Sequence, residues 1–169
     1  MKALSLAICL LALSSCASTP QSRQIRTDWP GPLPLAVELT DTPFYPQTQH
    51  QCGPAALATV LQAHSVETTP ELLSSKVYIP DRQGSLQIEM AAAARQYEML
   101  PYPLRPVLTD LLTEIAAGKP VLVLQNLGFD WFPQWHYAVV IGYDINNNEI
   151  MLRSGTHKRW LTTFEVFER

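Results

Sequence analysis

The chain has 169 residues, of which 47% are hydrophobic and 16% are charged, and its formal net charge at pH 7 is −3. This length suits one domain with a sizeable core. A protein that binds nucleic acid through its phosphates needs a basic face, so the acidic balance excludes that class of function.

The first residues have the layout of a secretory signal. Lys2 precedes an apolar run, Ala3–Leu13, that is too short for a stable transmembrane helix. The following Leu-Ser-Ser-Cys sequence resembles the bacterial lipobox, in which cleavage leaves a lipidated N-terminal Cys16. Residue Ala17 is not aspartate, so the resemblance implies an outer-membrane lipoprotein that faces the periplasm and is held in the bilayer through Cys16. The alternative is an ordinary signal peptide with a chance cysteine.

The chain is therefore predicted to comprise a signal peptide (1–15), an extended tether rich in proline and serine (16–36), and one domain (37–169). Signal removal takes away Lys2 and leaves a net charge of −4. No internal repeat and no second transmembrane segment is recognised.

Within the domain, helical patterns come first and strand patterns follow. Helices are predicted from Gly53, with Pro54 at a first helical position, from Thr69 as an N-cap, from Ser85 as a cap to Tyr97, and over Pro106–Ala117. Strands are predicted at Pro120–Gln125, Tyr137–Tyr143 and Glu149–Arg153, the last two joined as a hairpin through Asn146–Asn148. This order predicts an α+β fold with a helical layer on an antiparallel sheet.

Cys52 is the single cysteine left after Cys9 and Cys16 are assigned to the signal and the lipid. It stands at the start of a predicted helix, where free N–H groups and the macrodipole stabilise a thiolate. The sequence therefore favours a reactive thiol over an inert buried one.

A thiol nucleophile needs a base, and four histidines are available. His50 is too close in sequence, His64 falls at the far end of the Cys52 helix, and His157 is predicted to be solvated beyond the last strand. His136 opens a buried strand after an aromatic loop, and it is the predicted base. The alternative role is a hydrogen-bonded structural histidine.

These residues support a resemblance to a known family. Gln-x4-Cys-Gly-Pro-Ala-Ala-Leu, Gly-Lys-Pro-Val-Leu-Val and His-Tyr-Ala-Val-Val-Ile-Gly-Tyr together resemble the C39-like cysteine peptidases, papain-fold relatives of the domains that cut double-glycine leaders. The resemblance covers roughly residues 40–168. It implies Cys52 as the nucleophile, His136 as base and acid, and a glutamine donor to the oxyanion. Gln47 is the best match, with Gln49 and Gln51 left open.

The third catalytic position departs from the family pattern, which places aspartate or asparagine where Ser154 stands. Asp144 is excluded by geometry, since eight residues of extended strand separate it from His136 by ~26 Å. The resemblance therefore implies a Cys52–His136 dyad with Ser154 as a weak orienter. The family also has a further strand after the helix predicted at Phe164–Arg169, so a truncated end or a fragment is expected.

The predicted function is a membrane-tethered cysteine peptidase that cuts a periplasmic peptide or protein. Trp131, Phe132 and Trp135 are expected to wall the cleft, with Gly53 beside the nucleophile. The alternative is a catalytically weak or inactive peptide-binding module of the cell envelope. No metal-ligand spacing and no phosphate-binding glycine loop is found, so no cofactor is expected.

Overall fold

The structure, a computed structural model, describes residues 19–47 and 51–169. The predicted signal peptide, Cys16, Gln49 and His50 lie outside the described residues. None of the described helices is long and apolar enough to cross a membrane.

The described residues form an α+β fold with an antiparallel sheet, as predicted. The helices are α1 (Pro20–Thr27), α2 (Cys52–Ala63), α3 (Pro70–Val77), α4 (Gln87–Gln96), α5 (Leu108–Ala116) and α6 (Phe164–Glu168). The strands are β1 (Ala36–Glu38), β2 (Tyr78–Ile79), β3 (Gly84–Ser85), β4 (Val121–Asn126), β5 (Trp135–Asp144), β6 (Glu149–Ser154) and β7 (His157–Thr163). Strands β2 and β3 form a separate small ribbon around a 3₁₀ turn, Pro80–Arg82.

Strand β5 is the centre of the main sheet. Its first half pairs with β4 and its second half pairs with β1 on the same edge, while β6 and then β7 extend the other edge. All of these pairs are antiparallel. A bulge at Ile141 interrupts the pairing of β5 with β6. Such an irregularity bends the strand and increases the local twist of the sheet.

Both faces of the sheet are covered, which explains why the β5 sequence is a continuous apolar run. Tyr137, Val139 and Ile141 belong to a core cluster with α2, α3 and α4. Ala138, Val140 and Tyr143 belong to a second cluster, which includes residues of α1, α5 and α6. The single helical layer expected from the sequence is therefore two layers, one on each face.

Local signals account for several element boundaries. The Thr69 hydroxyl accepts a hydrogen bond from the N–H of Leu72 at the start of α3, as its predicted capping role requires. Thr163 does the same for Val166 in α6. Between β5 and β6, Asn148 adopts the left-handed conformation that asparagine tolerates in a tight turn.

The predicted tether differs most from the observed structure, because the chain is folded from Pro20 onward. Ser22 and Ile25 of α1 are buried. The Glu168 carboxylate accepts hydrogen bonds from the N–H of Gln21, at 2.9 Å, and from the N–H and hydroxyl of Ser22, at 2.7 and 2.6 Å. A carboxylate is favourable at a helix N-terminus. This contact between the two ends of the domain involves residues too far apart for a local sequence pattern to predict.

Two further expectations need correction. Ser85 does not cap α4: it lies in β3, Leu86 holds the cap position, and no side chain caps that helix. His157 does not lie beyond the last strand but begins β7, where it is exposed and packs edge-on against Trp160. Strand β7 is mostly exposed, so its sequence lacks the clear apolar alternation that identifies a half-buried strand.

Candidate active site

Cys52 is the first residue of α2, and it is a half-buried free thiol. The first N–H groups of a helix have no acceptor within the helix, and the macrodipole gives this end a partial positive charge. The side chain of Gln51, the residue before Cys52, makes no capping hydrogen bond at this end of α2. Negative charge on the sulfur, or on an oxygen beside it, would therefore face backbone donors.

Gly53 brings a second element to the start of α2. A Cβ atom at this position would lie 2.3 Å from the Ser85 hydroxyl oxygen and 2.6 Å from its Cβ. Only glycine therefore allows β3 to pack this closely against the residue after the thiol. Gly53 is buried and does not line the cavity beside Cys52, so its observed contacts are those of packing.

The structure brings His136 and Ser154 together. His136 lies opposite Gln125 of β4, and its Nε2 atom is 3.0 Å from the Ser154 hydroxyl oxygen. Asp144 lies at the opposite end of β5, where its carboxylate accepts the N–H groups of Asn146 and Asn147. The hairpin geometry predicted this arrangement, whereas the catalytic roles of His136 and Ser154 are still predictions.

The relation between His136 and Cys52 is less direct. No hydrogen bond joins the Cys52 sulfur to His136 among the contacts of the described residues. Burial lowers the pKa of His136, so the imidazole is neutral at pH 7. In the tautomer whose Nε2–H donates to Ser154, Nδ1 is the nitrogen that can accept a proton from the thiol.

Gln47 is held by the turn that follows Ser154. Its backbone N–H donates to the Gly155 carbonyl at 2.9 Å, and its side-chain oxygen accepts the Gly155 N–H at 3.0 Å. Its Nε2 donates to the Tyr137 carbonyl at 3.2 Å. An amide nitrogen carries two hydrogens, so one more donor is available for a substrate. The Ser154–Gly155 turn thus contacts both the predicted base and the predicted oxyanion donor.

Arg153 fixes the segment that leads to Gln47. Its side chain is buried and donates to the carbonyls of Thr40, Thr42 and Lys158. Burial lowers the pKa of Arg153, and the charge of Glu38 opposes this change. A buried guanidinium that satisfies three backbone carbonyls makes this loop costly to displace.

The other two glutamines are less favourably placed or lie outside the described residues. The side-chain oxygen of Gln51 accepts a hydrogen bond from the Ser74 hydroxyl at 3.1 Å, which directs this side chain toward α3. Gln49 is not described. Of the glutamines that the structure describes, Gln47 therefore has the more suitable position.

A cavity of about 240 Å³ lies beside the thiol. Its lining residues are Cys52, Ser85, Leu86, Gln87, Leu124, Trp135 and Tyr137. Burial first, and then the charge of the Cys52 thiolate, raise the pKa of Tyr137 to about 12. The Tyr137 hydroxyl donates to the Ser85 carbonyl at 3.3 Å, so its proton is already engaged.

An aromatic hairpin, residues 127–135, joins β4 to β5 beside this cavity. Phe129 and Phe132 exchange backbone hydrogen bonds, and the rings of Phe129 and Trp131 are stacked at 5.4 Å. Trp131 is 81% exposed and Trp135 is 63% exposed, which excludes core packing for both. Trp135 lines the cavity and Trp131 does not.

Among the described residues, no group of three or more His, Cys, Asp and Glu side chains could hold a metal ion. His64 ends α2, and its ring nitrogen contacts the Val60 carbonyl. His157 is exposed at the start of β7. His64 therefore lies at the far end of α2 from Cys52, whereas His157 lies opposite Ser154 in the pairing of β6 with β7.

The sequence predictions missed three residues of this region: Ser85, Arg153 and Gly155. Arg153 had a usable signal, because a charged residue inside a buried strand needs buried acceptors. Gly155 has φ +58°, and its position between two strand patterns is typical of a turn glycine. Ser85 offered no separate signal, because serine before a helix is usually a cap.

A half-buried thiol at the start of a helix, a histidine at the end of an antiparallel strand and an α+β fold define the class of papain-like thiol peptidase domains. The sequence profile of the Peptidase_C39 like family matches residues 39–168, and the chain belongs to this family. The family is one of cysteine peptidase-type hydrolases. A comparison with curated proteins found no match.

Proposed function

We propose that the protein is a membrane-tethered cysteine peptidase that hydrolyses a peptide bond in a periplasmic peptide or protein. The observation that supports this function best is the position of Cys52. The thiol lies at the donor end of α2 and lines a cavity at the edge of the sheet where His136 contacts Ser154. Membership of the C39-like family supports cysteine peptidase chemistry at the level of the enzyme class.

In the first step, His136 Nδ1 accepts the thiol proton while the sulfur attacks the carbonyl carbon of the scissile bond. A carbon–sulfur bond forms, and the carbonyl oxygen becomes an oxyanion. The N–H of Cys52 and the second hydrogen on Gln47 Nε2 would donate to that oxygen. Gly155 and Tyr137 hold the Gln47 amide in place for this role.

In the second step, the carbon–nitrogen bond breaks and His136 gives its proton to the leaving amine. The acyl group then remains on Cys52 as a thioester. A water molecule, deprotonated by His136, attacks the thioester carbon, and the acid product leaves while the thiol regains its proton.

Ser154 would act by fixing the tautomer of His136. Its hydroxyl oxygen, 3.0 Å from Nε2, can accept the ring N–H and so leave Nδ1 free for the thiol proton. A hydroxyl is neutral, so it does not stabilise an imidazolium as a carboxylate would. We therefore expect slower turnover than a carboxylate at this position would give.

The aromatic hairpin would contact the substrate beyond the cavity. Trp131 and Trp135 are exposed, Trp135 lines the cavity beside the thiol, and large aromatic side chains of this kind commonly form binding surfaces. The proposed attachment to the membrane is a separate point and follows from the signal sequence, because cleavage before Cys16 would leave an N-terminal cysteine that carries a lipid anchor. Mass spectrometry of the mature N-terminal peptide tests it, and an unmodified or uncleaved Cys16 would contradict it.

A second candidate is a peptide-binding module that does not cut its ligand. Two observations favour it: no hydrogen bond joins the Cys52 sulfur to His136 in the described part of the chain, and His136 contacts a serine instead of a carboxylate. Cys52→Ala separates the two functions. It abolishes the biological effect of an enzyme, whereas it leaves that of a binding module intact.

The first experiment is the rate of Cys52 alkylation by iodoacetamide between pH 5 and 9, in the domain with wild-type His136 and with His136→Ala. His64→Ala is the matched control, because that histidine is exposed and follows the far end of α2, about 18 Å along the helix axis from Cys52. A thiolate assisted by His136 predicts a rate at pH 7 above that of a free thiol and a loss of at least about 10-fold in His136→Ala alone. A rate that rises only near pH ~8.5 in all three proteins would refute the peptidase.

A further inference from the structure

The cavity beside Cys52 has a size and lining that bear on which peptides the site accepts. This inference rests on the proposed function. A glycine next to the scissile bond would have no side chain to enter a cavity. The cavity of about 240 Å³ holds several times the ~30 Å³ that one water molecule occupies in the liquid.

Apolar side chains dominate the walls. Leu86, Leu124, Trp135 and Tyr137 line the cavity, and the polar lining residues besides Cys52 are Ser85 and Gln87. Tyr137, whose pKa is raised to about 12, is neutral at pH 7 and its hydroxyl is bonded to the Ser85 carbonyl. Among the residues that the structure describes, no lysine, arginine, aspartate or glutamate lines the cavity. A charged ligand group would therefore lose its hydration without gaining an ionic partner.

The position of the cavity connects it with the reaction. Cys52 is itself a lining residue, and the cavity lies at the same end of β5 as His136, although the side chains of Trp135 and Tyr137 alternate with that of His136 and project to the other face of the sheet. A peptide whose scissile carbonyl lies at the sulfur would therefore place a neighbouring side chain in the cavity. We propose that this cavity selects one medium-sized apolar side chain, such as leucine, next to the scissile bond, in preference to glycine or an acidic residue.

The test uses three reagents that need no substrate: the chloroacetyl derivatives of leucine amide, glycine amide and aspartate amide. In each reaction the Cys52 sulfur displaces chloride and forms one carbon–sulfur bond. The rate of each reagent with Cys52 at pH 7 is divided by its rate with glutathione, which removes differences in the intrinsic reactivity of the reagents. We expect the leucine reagent to react about 10- to 100-fold faster than the glycine reagent, and the aspartate reagent to be the slowest.

Leu124→Ala and Leu122→Ala form a matched pair of variants. Both leucines lie on β4 and pack against the same core cluster, but only Leu124 lines the cavity. Leu124→Ala enlarges the cavity, so we expect the preference to move from the leucine reagent toward a fourth reagent, the chloroacetyl derivative of phenylalanine amide, which is tested on these variants and on the wild-type protein. Leu122→Ala is expected to retain the wild-type preference.

Equal normalised rates for the leucine and glycine reagents in the wild-type protein would overturn the inference, as would the same shift in both variants. The dependence of the iodoacetamide rate on His136 tests the proposed function separately. A His136-dependent thiol without leucine preference would refute the cavity proposal alone. A leucine preference on a thiol that is indifferent to His136 would support the cavity while refuting the peptidase.

Discussion

Two turns of the sheet use polar groups in opposite ways. In the turn after β5, the Asp144 carboxylate accepts hydrogen bonds from Asn146 and Asn147, two and three residues along the chain. In the turn after β6, Ser154 and Gly155 contact His136 and Gln47, which are 18 and 108 residues away. The first turn also bonds to other segments, through Ile145 to Leu35 and through Asn148 to Glu165, but it lies away from the candidate site. The second turn joins distant segments at the candidate site itself. Two turns of one sheet can therefore have unlike roles.

The largest expected effect comes from removing His136, the predicted base, at the end of β5 that lies beside the Ser154–Gly155 turn. We expect His136→Ala to lower the rate of peptide hydrolysis by about 10²–10⁴-fold, because it removes the group proposed to transfer the proton. Asp144→Asn, at the other end of the strand, is expected to cost about 1 kcal/mol of folding free energy and leave hydrolysis unchanged. Hydrolysis is followed by mass spectrometry and stability by urea unfolding. Equal loss of hydrolysis in both variants would show that the two ends of β5 do not differ in their contribution to catalysis.

A carboxylate at the Ser154–Gly155 turn should increase the functional difference between this turn and the turn after β5. Ser154→Asp places a negative charge near His136 Nε2, so we expect the pKa of His136 to rise and hydrolysis to increase by about 10-fold. NMR titration of the His136 ring measures the first effect. Ser154→Asn, which adds a neutral side chain, is the control and should leave the pKa of His136 low. A rise in both variants would show that charge is not the cause.

Alanine substitutions at the two residues with positive φ test the turns directly. Gly155 has φ +58° and Asn148 has φ +57°. Each alanine should cost about 1 kcal/mol through backbone strain. Asn148→Ala also removes the hydrogen bond from Asn148 to the Glu165 carboxylate, whereas no atom lies within 4 Å of the Cβ added at Gly155. Only Gly155→Ala should also slow hydrolysis, by about 5-fold or more, because it disturbs the contact with Gln47. Unaltered hydrolysis in Gly155→Ala would mean that this turn does not position the oxyanion donor.

The smallest expected effect is the pH dependence of stability. Burial lowers the pKa of His136, so the folded state binds fewer protons than the unfolded state just below pH 6.5. The stability associated with a neutral His136 is complete above the unfolded pKa of about 6.5 and declines as the pH falls toward the lowered folded pKa. His136→Gln should remove this contribution to the dependence of the folding free energy on pH. Urea midpoints from pH 5 to 7 provide the measurement, and parallel curves for the two proteins would contradict it.

The sequence predicted those parts of the fold that local patterns determine. The apolar runs of β4, β5 and β6, the Thr69 cap and the closeness of Ser154 to His136 follow from periodicity, capping and hairpin geometry. The α1 helix was missed because Glu168, at the other end of the chain, caps it. The Ser85 position was missed because it depends on the absence of a side chain at Gly53. Contacts between distant segments have no local signature.

The early start of α1 changes how the domain would be presented at a bilayer. Pro20 is four residues after Cys16. A flexible tether of twenty residues has a root-mean-square length of roughly 25 Å, whereas four extended residues span at most about 14 Å. With the proposed lipid on Cys16, the domain would therefore stay close to the membrane surface and diffuse laterally along it. Its encounters would favour polypeptides that emerge from, or lie along, the same surface.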